Sequence, residues 1–230
     1  RVPGVSLMPQ ARVHSDGVLG MISMGKEEAR SLMEKSREMA DDISRRVASR
    51  ALIFPTGGEV RAGLIKDLNS EFIASRLREE GYSVKVGEAL EDEDLAIARA
   101  IQRAMDEGYG LLITTGGIGA EDKDRTVEGI LRVIPEAAAP YIIRFTRGTG
   151  RHAKDGVRLA VGRAGASLVV ALPGPHAEVR ESVEVLLKGL KRGLSPSVLA
   201  FELAERLRRR MGSLMGGLPH LPESENKARG

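Results

Sequence analysis

The sequence predicts an α/β fold, a three-layer sandwich in which a mostly parallel sheet is covered by helices on both faces. Three observations carry this expectation. Short uncharged runs at residues 51–54 and 111–114 read as interior parallel strands, which are buried on both sides and therefore lack polar alternation. Between such runs lie stretches whose apolar residues recur at helical spacing. The two kinds of segment alternate along the chain, as βαβ units do.

Composition bounds the reading. The 230 residues suit one domain of ordinary size with appendages, or two small ones. The chain is 42% hydrophobic but only 3% aromatic, so its core must be aliphatic. A formal charge of +3 with no aromatic-plus-basic surface does not suggest nucleic-acid binding. The absence of cysteine excludes disulfides, thiolate metal sites and cysteine nucleophiles. No apolar run reaches the roughly 18 residues of a membrane span and no signal peptide is evident, so a cytoplasmic protein without a membrane partner is expected.

Taken in order, residues 1–25 lack periodicity and read as extended or irregular. Residues 26–47 read as a helix with Ala29, Leu32, Met33, Met39, Ile43 and Val47 on one face and charge elsewhere. The strand at 51–54 leads through the turn PTGGEV to a helix at 69–80, capped by Asn69 or Ser70 and ended by Gly81. A strand at 83–86 and a helix at 94–107 follow, the latter with Leu95, Ala98, Ile101 and Met105 at helical spacing. The strand at 111–114 precedes a helix at 126–134. Residues 140–156, rich in basic side chains, depart from the rhythm. Strands at 157–161 and 167–172 form a hairpin across residues 162–165. Helices at 177–191 and 197–210 follow, and residues 211–230 make a loose tail. The organisation is thus an N-terminal extension with one helix (1–50), a ligand-binding domain (51–193), a C-terminal helix (194–210) and a flexible tail (211–230).

Chemistry concentrates at the predicted C-terminal strand ends. After the first strand, Thr56, Gly57, Glu59, Asp67 and Asn69 either bind a ligand or merely shape the loop and cap the next helix. After the third, Thr115, Gly116, Gly117 and Gly119 make a glycine-rich turn ahead of Glu121, Asp122 and Asp124. Such a turn before a helix N-terminus suits a phosphate, and Asp122 with Asp124 could hold a divalent cation beside it, although acids at that position also answer the helix dipole. The acidic run 91–94 either solvates a helix start or directs one carboxylate to the same crevice. Pro173 and Gly174, in LPGP, open another helix at this edge. The cationic residues Arg144, Arg147, Arg151 and Lys154 read as solvated surface or as a polyphosphate clamp. His152 has no evident partner.

The motifs TGGEV…KDLN, ITTGGIGAEDKDRT and LPGPHAEVR, in this order and spacing, resemble the molybdopterin-binding domain family. That family includes the MogA and MoaB proteins, the third domain of MoeA and the N-terminal domain of CinA. The resemblance covers about residues 51–193 and is closest to a stand-alone CinA-like member, because TGGEV and LPGP follow CinA and the Ser-Asp pair of MogA is absent. It implies a ligand crevice at the C-terminal strand ends, with residues 115–119 cradling a phosphate or the pterin. Thr126 closes the matching motif. Asp124 matches the family's functional aspartate, and Asp92 matches the acid after the second strand, in a register that Asp94 could also fill. The implied chemistry is Mg2+-dependent, with Asp124 and Asp92 catalytic and Asp124, Asp122 and Asp92 around the metal. The implied ligand is molybdopterin or an adenine nucleotide. Molybdopterin adenylyl transfer, ADP-ribose pyrophosphatase activity and non-catalytic pterin binding are the three outcomes the resemblance allows. A homo-oligomer is expected on the same ground.

Overall fold

The computed structural model describes residues 26–61, 63–64, 66–146 and 153–214, with no side-chain description for residues 26–29, 59 and 214. The expectations for residues 1–25, for the tail beyond 214 and for Arg147, Arg151 and His152 lie outside these residues. By contacts, the chain up to Arg46 is one unit and the chain from Val47 is a second. Helix α1 (Lys26–Ala48) makes up the described part of the first, and Leu32, Met33, Met39 and Ile43 on it are exposed.

The second unit begins with strand β1 (Arg50–Pro55), a single-turn helix α2 (Gly58–Arg61) and helix α3 (Asn69–Glu79). Strand β2 (Ser83–Val86), helix α4 (Asp94–Asp106), strand β3 (Leu111–Thr115) and helix α5 (Thr126–Val133) continue the alternation. Then come β4 (Tyr141–Arg144), β5 (Gly156–Arg158), β6 (Val161–Ala164), β7 (Ser167–Leu172), α6 (His176–Lys191) and α7 (Pro196–Leu214).

The main sheet has the order β2–β1–β3–β7–β6. The first four strands are parallel, and β6 runs antiparallel to β7 at one edge. β3 and β7 are buried along their whole length, as is β1 beyond Arg50, whereas β2, at the other edge, alternates exposed and half-buried residues. Because βαβ crossovers are right-handed as a rule, successive helices go to opposite faces as the chain moves first to β2 and then back past β1 to β3. Helices α4 and α5 pack together on one face, and α3, α6 and α7 pack together on the other. The core is aliphatic: Ile53, Ile73, Leu77, Ile97, Ile101, Leu112, Ile113 and Ile130 are all inaccessible to solvent. At about 25 cal/mol per Å2 of apolar surface, each such side chain contributes roughly 1.5–3 kcal/mol of burial free energy.

Residues 140–156, which depart from the alternation, hold β4 and β5, which pair as an antiparallel ribbon outside the main sheet. Three expectations are corrected. The inward face of α4 is Ile97, Ala100, Ile101 and Ala104, one position round from that expected, and Leu95 is exposed. The expected strand at 157–161 is divided between that ribbon and β6. The β6–β7 hairpin is tighter than expected: Ala164 pairs with Ser167, leaving a two-residue turn in which Gly165 takes a φ of 54°. Among the described residues no helix is long and apolar enough to cross a membrane.

Candidate functional site

The strand order reverses direction between β1 and β3. The chain leaves β1 towards β2 on one side and returns to β3 on the other. In open α/β sheets the connections at such a point diverge and leave a crevice beyond the C-terminal strand ends. Thr56, Thr115, the loop 116–119, Asn69 and Gly174 sit at that place.

On the β1 side, Thr56 is buried; its N–H donates to Thr115 O (2.9 Å) and its hydroxyl to the same oxygen (3.2 Å). Gly57 turns the chain at φ 122° into α2. The Gly58 N–H, an orphan donor at the start of that single turn, donates to Asp92 Oδ2 at 3.0 Å. Arg61 pairs with Glu91 alongside. Asp94 is instead bonded to Arg132 on α5 at 2.7 Å, and that hydrogen bond holds its carboxyl below the ordinary carboxylate range. The geometry therefore separates the two acids: Asp92 faces the β1 loop and Asp94 does not. Glu59 lies on α2.

On the β3 side, Gly116 donates to Leu172 O (3.1 Å), and Thr126 N–H donates to Gly117 O (3.0 Å). The Thr126 hydroxyl, fully buried, donates to Gly116 O at 3.1 Å and lies 3.4 Å from the Thr56 hydroxyl. A Cβ on Gly116 would meet Thr56 O at 2.7 Å, one on Gly117 would meet Thr126 Oγ1 at 2.3 Å, and one on Gly119 would meet Asp124 Oδ2 at 2.4 Å. These glycines let the loop fold onto Thr56 of the β1 loop and onto Thr126 and Asp124, a packing reason that stands beside any closeness to a ligand.

Asp124 is half-buried, and its Oδ2 accepts the Glu121 N–H at 2.9 Å. Burial raises its carboxyl above the ordinary value, opposed in part by that hydrogen bond and by the Lys154 ammonium. Lys154 Nζ donates to the Asp124 carbonyl and pairs with Glu128 (3.0 Å), which also pairs with Arg158 (3.2 Å). The N–H groups of Ala153 and Lys154 both donate to Ala120 O. One end of the basic loop is therefore fastened to the glycine loop. Asp122 points away: its side chain is 81% exposed and pairs with Arg125 at 2.5 Å. Among the described residues no three His, Cys, Asp or Glu side chains lie together as a metal cluster. Asp92, Asp122 and Asp124 are engaged with three different partners, so a cation here would take few protein ligands.

Asn69 ties the loops together. Its Nδ2 donates to Gly174 O (2.7 Å) and to Thr115 Oγ1 (3.3 Å), and its Oδ1 lies 2.9 Å from His176 Nδ1. Thr115 in turn donates to Pro173 O at 3.1 Å. The N-cap of α3 is neither Asn69 nor Ser70 but Leu68, and the side chain that serves the helix start is Asp67 just before it, whose Oδ1 accepts the N–H of both Asn69 and Ser70 at 3.0 Å. Sequence reasoning missed two residues at this edge. His176, the first residue of α6, directly follows LPGP, and its position was the available signal. Lys154 was read as part of a charge run, and nothing local distinguishes it from its neighbours.

Comparison with known proteins agrees with this fold. Residues 52–192 match the family model described as "Probable molybdopterin binding domain". A CinA-like protein of Fervidobacterium nodosum is 31% identical over 169 residues, covering 62% of this chain and 41% of that protein. A molybdenum cofactor biosynthesis bifunctional protein of Synechococcus elongatus is 30% identical over 152 residues, 63% of this chain and 46% of that one. The chain thus spans less than half the length of these two relatives. The structure of the molybdopterin biosynthesis Mog protein from Mycobacterium ulcerans superposes with a TM-score of 0.51 at 27% identity, covering 64% of this chain and 97% of that one. With its ordered motifs, its strand order and a family match spanning most of its length, the chain belongs to the molybdopterin-binding domain family, among whose members are CinA-like relatives.

Proposed function

We propose that the crevice between the ends of β1 and β3 binds a molybdopterin- or nucleotide-type ligand through its phosphate, and that the protein acts at that phosphate as a molybdopterin adenylyltransferase. The observation that carries the reading is the convergence of Thr56, Thr115, the 116–119 loop, Asn69 and Gly174 on the point where the strand order reverses. The N-termini of α5 and α6 open at the same edge, and their unpaired N–H groups favour an anion. Mg2+ would neutralise charge developing on the phosphates. It commonly takes only one or two carboxylates and completes its shell with phosphate oxygens and water, which suits a site without a three-carboxylate cluster. Asp124 is the residue fitted to hold it: Oδ1 accepts no hydrogen bond among the described residues while Oδ2 is fixed by Glu121. Asp92 orders the opposite wall through Gly58. In adenylyl transfer a phosphate oxygen of the pterin attacks the α-phosphorus of ATP and pyrophosphate departs. Backbone N–H groups of the glycine loop orient the reacting phosphate.

The CinA-like match and the TGGEV turn favour a second reading, hydrolysis of ADP-ribose at the same site, with water as the attacking group. One panel separates the readings. Thermal shift and turnover are measured with ATP plus molybdopterin, with ADP-ribose and with each ligand alone, with and without Mg2+, on the wild type and Asp124→Ala. Pyrophosphate release that needs both ATP and molybdopterin, and is lost in the variant, supports adenylyl transfer; AMP from ADP-ribose supports the second reading. Pterin binding with no turnover and no response to the variant would leave a binding module. A protein assembling as a homo-oligomer in the cytoplasm is the natural setting for this reading, and sedimentation of the wild type tests the assembly.

A further inference from the structure

Helices α3, α6 and α7 enclose an open groove of about 790 Å3 on the face away from α4 and α5. Its walls carry five cations, Arg76, Arg180, Lys188, Arg206 and Arg210, against two carboxylates, Glu181 and Glu184. The carboxylates act as internal braces. Glu181 accepts Arg206 Nε at 2.9 Å and also pairs with Arg210, and Glu184 accepts Arg76 Nη2 at 2.8 Å. Each guanidinium has five donors, so these contacts orient the arginines and leave most of their N–H groups for another acceptor. Arg180 and Lys188 lie on α6 on either side of Glu184, at successive i, i+4 positions. Both are exposed, and neither forms an ion pair among the described residues. Arg210 Nε is buried with no hydrogen-bond partner among the described residues. An apolar strip accompanies the charges: Phe72, Ala177 and Val185 line the same groove, with Arg180 held 6.0 Å above the Phe72 ring. A net positive cavity of this size, with oriented guanidiniums and one apolar side, suits a small polyanion. Its α7 wall, with Arg206 and Arg210, lies beyond residue 192, where the family match ends. The groove therefore belongs to this chain rather than to the matched domain as such.

We infer that this groove is a second binding site, separate from the crevice, for a small molecule carrying a chain of two or more phosphates. The shared chemistry could come from inorganic polyphosphate or from a nucleoside polyphosphate whose base lies towards Phe72. The inference does not depend on the activity of the crevice.

The test uses the full chain in EDTA, so that no Mg2+ assists the crevice, and measures calorimetric binding of tripolyphosphate and of ATP. Arg180→Ala with Lys188→Ala removes two exposed cations that form no ion pair among the described residues, and unchanged circular dichroism and melting verify the fold. The expected result is saturable binding weakened at least tenfold in the double variant and unchanged in Asp124→Ala. ATP and tripolyphosphate binding alike would identify the phosphate chain as the whole determinant. ATP binding several-fold more tightly, with that advantage lost in Phe72→Ala, would identify a nucleoside polyphosphate. Absent binding, equal binding by the double variant, or loss in Asp124→Ala would overturn the inference. So would a single-stranded oligonucleotide that displaces tripolyphosphate at far lower concentration, since the groove would then be part of a nucleic-acid surface.

Discussion

At Gly117 the backbone takes a φ of 63°, and a Cβ would fall 2.3 Å from Thr126 Oγ1. Gly117→Ala combines left-handed backbone strain with a clash against a buried hydroxyl, so it should cost about 2–4 kcal/mol, read as a lower urea midpoint at unchanged m-value. Asp124 gives a pH signature. Its carboxyl is raised by burial, so the folded state binds the proton more tightly than the unfolded state does. Stability therefore falls as pH rises from the ordinary carboxylate value through the raised folded value, and is flat above it. Asp124→Asn keeps an acceptor for the Glu121 N–H and removes the buried charge. In metal-free buffer it should melt higher than wild type at neutral pH, with the gap closing on acidification, while ligand-dependent stabilisation disappears. Asp124 could be ranked only through the resemblance, because it matches the family's functional aspartate just before Thr126. Asp122, two residues earlier, could not be told apart by spacing, and only the pairing with Arg125 shows that it faces solvent.

Among the elements, α3 is held by its first turn. Asp67→Ala removes the acceptor of two backbone N–H groups and should cost about 1 kcal/mol, measured by chemical unfolding, with little effect on ligand affinity. Asn69→Ala should behave differently, because its amide joins the ends of β3 and β7 to α6. A loss of about 1–3 kcal/mol is expected from the stranded partners, together with weaker ligand binding in the thermal-shift assay. The long amphipathic helices and buried strands were legible because each carries its own period over many residues. The β4–β5 ribbon was not: its strands are three and four residues long, and only their mutual pairing makes them strands. The single turn of α2 depends on Asp92, 34 positions away, which no local pattern encodes. The one-position rotation of α4 has a similar origin. Gly129 on α5 approaches Ile97 so closely that a Cβ would lie 2.6 Å from its Cγ2, which draws Ile97 rather than Leu95 inward.

For the molecule as a whole, strand alternation foretold a parallel doubly covered sheet, but the order β2–β1–β3–β7–β6 follows from long-range pairing that spacing alone does not determine. That order makes the three motif loops neighbours, although they are far apart in sequence. The groove on α3, α6 and α7 escaped the sequence reading because its cations come from three helices, and Arg76 is more than a hundred residues from the rest. The central claim is that the crevice beyond β1 and β3 holds the phosphate of a molybdopterin-type ligand. Hydrogen–deuterium exchange of the full chain, with and without molybdopterin, tests it most directly. Protection concentrated in peptides covering residues 56–60, 115–120 and 173–177 is the predicted result. Protection absent from those peptides under saturating ligand, or confined to α6 and α7 beyond residue 180, would contradict it.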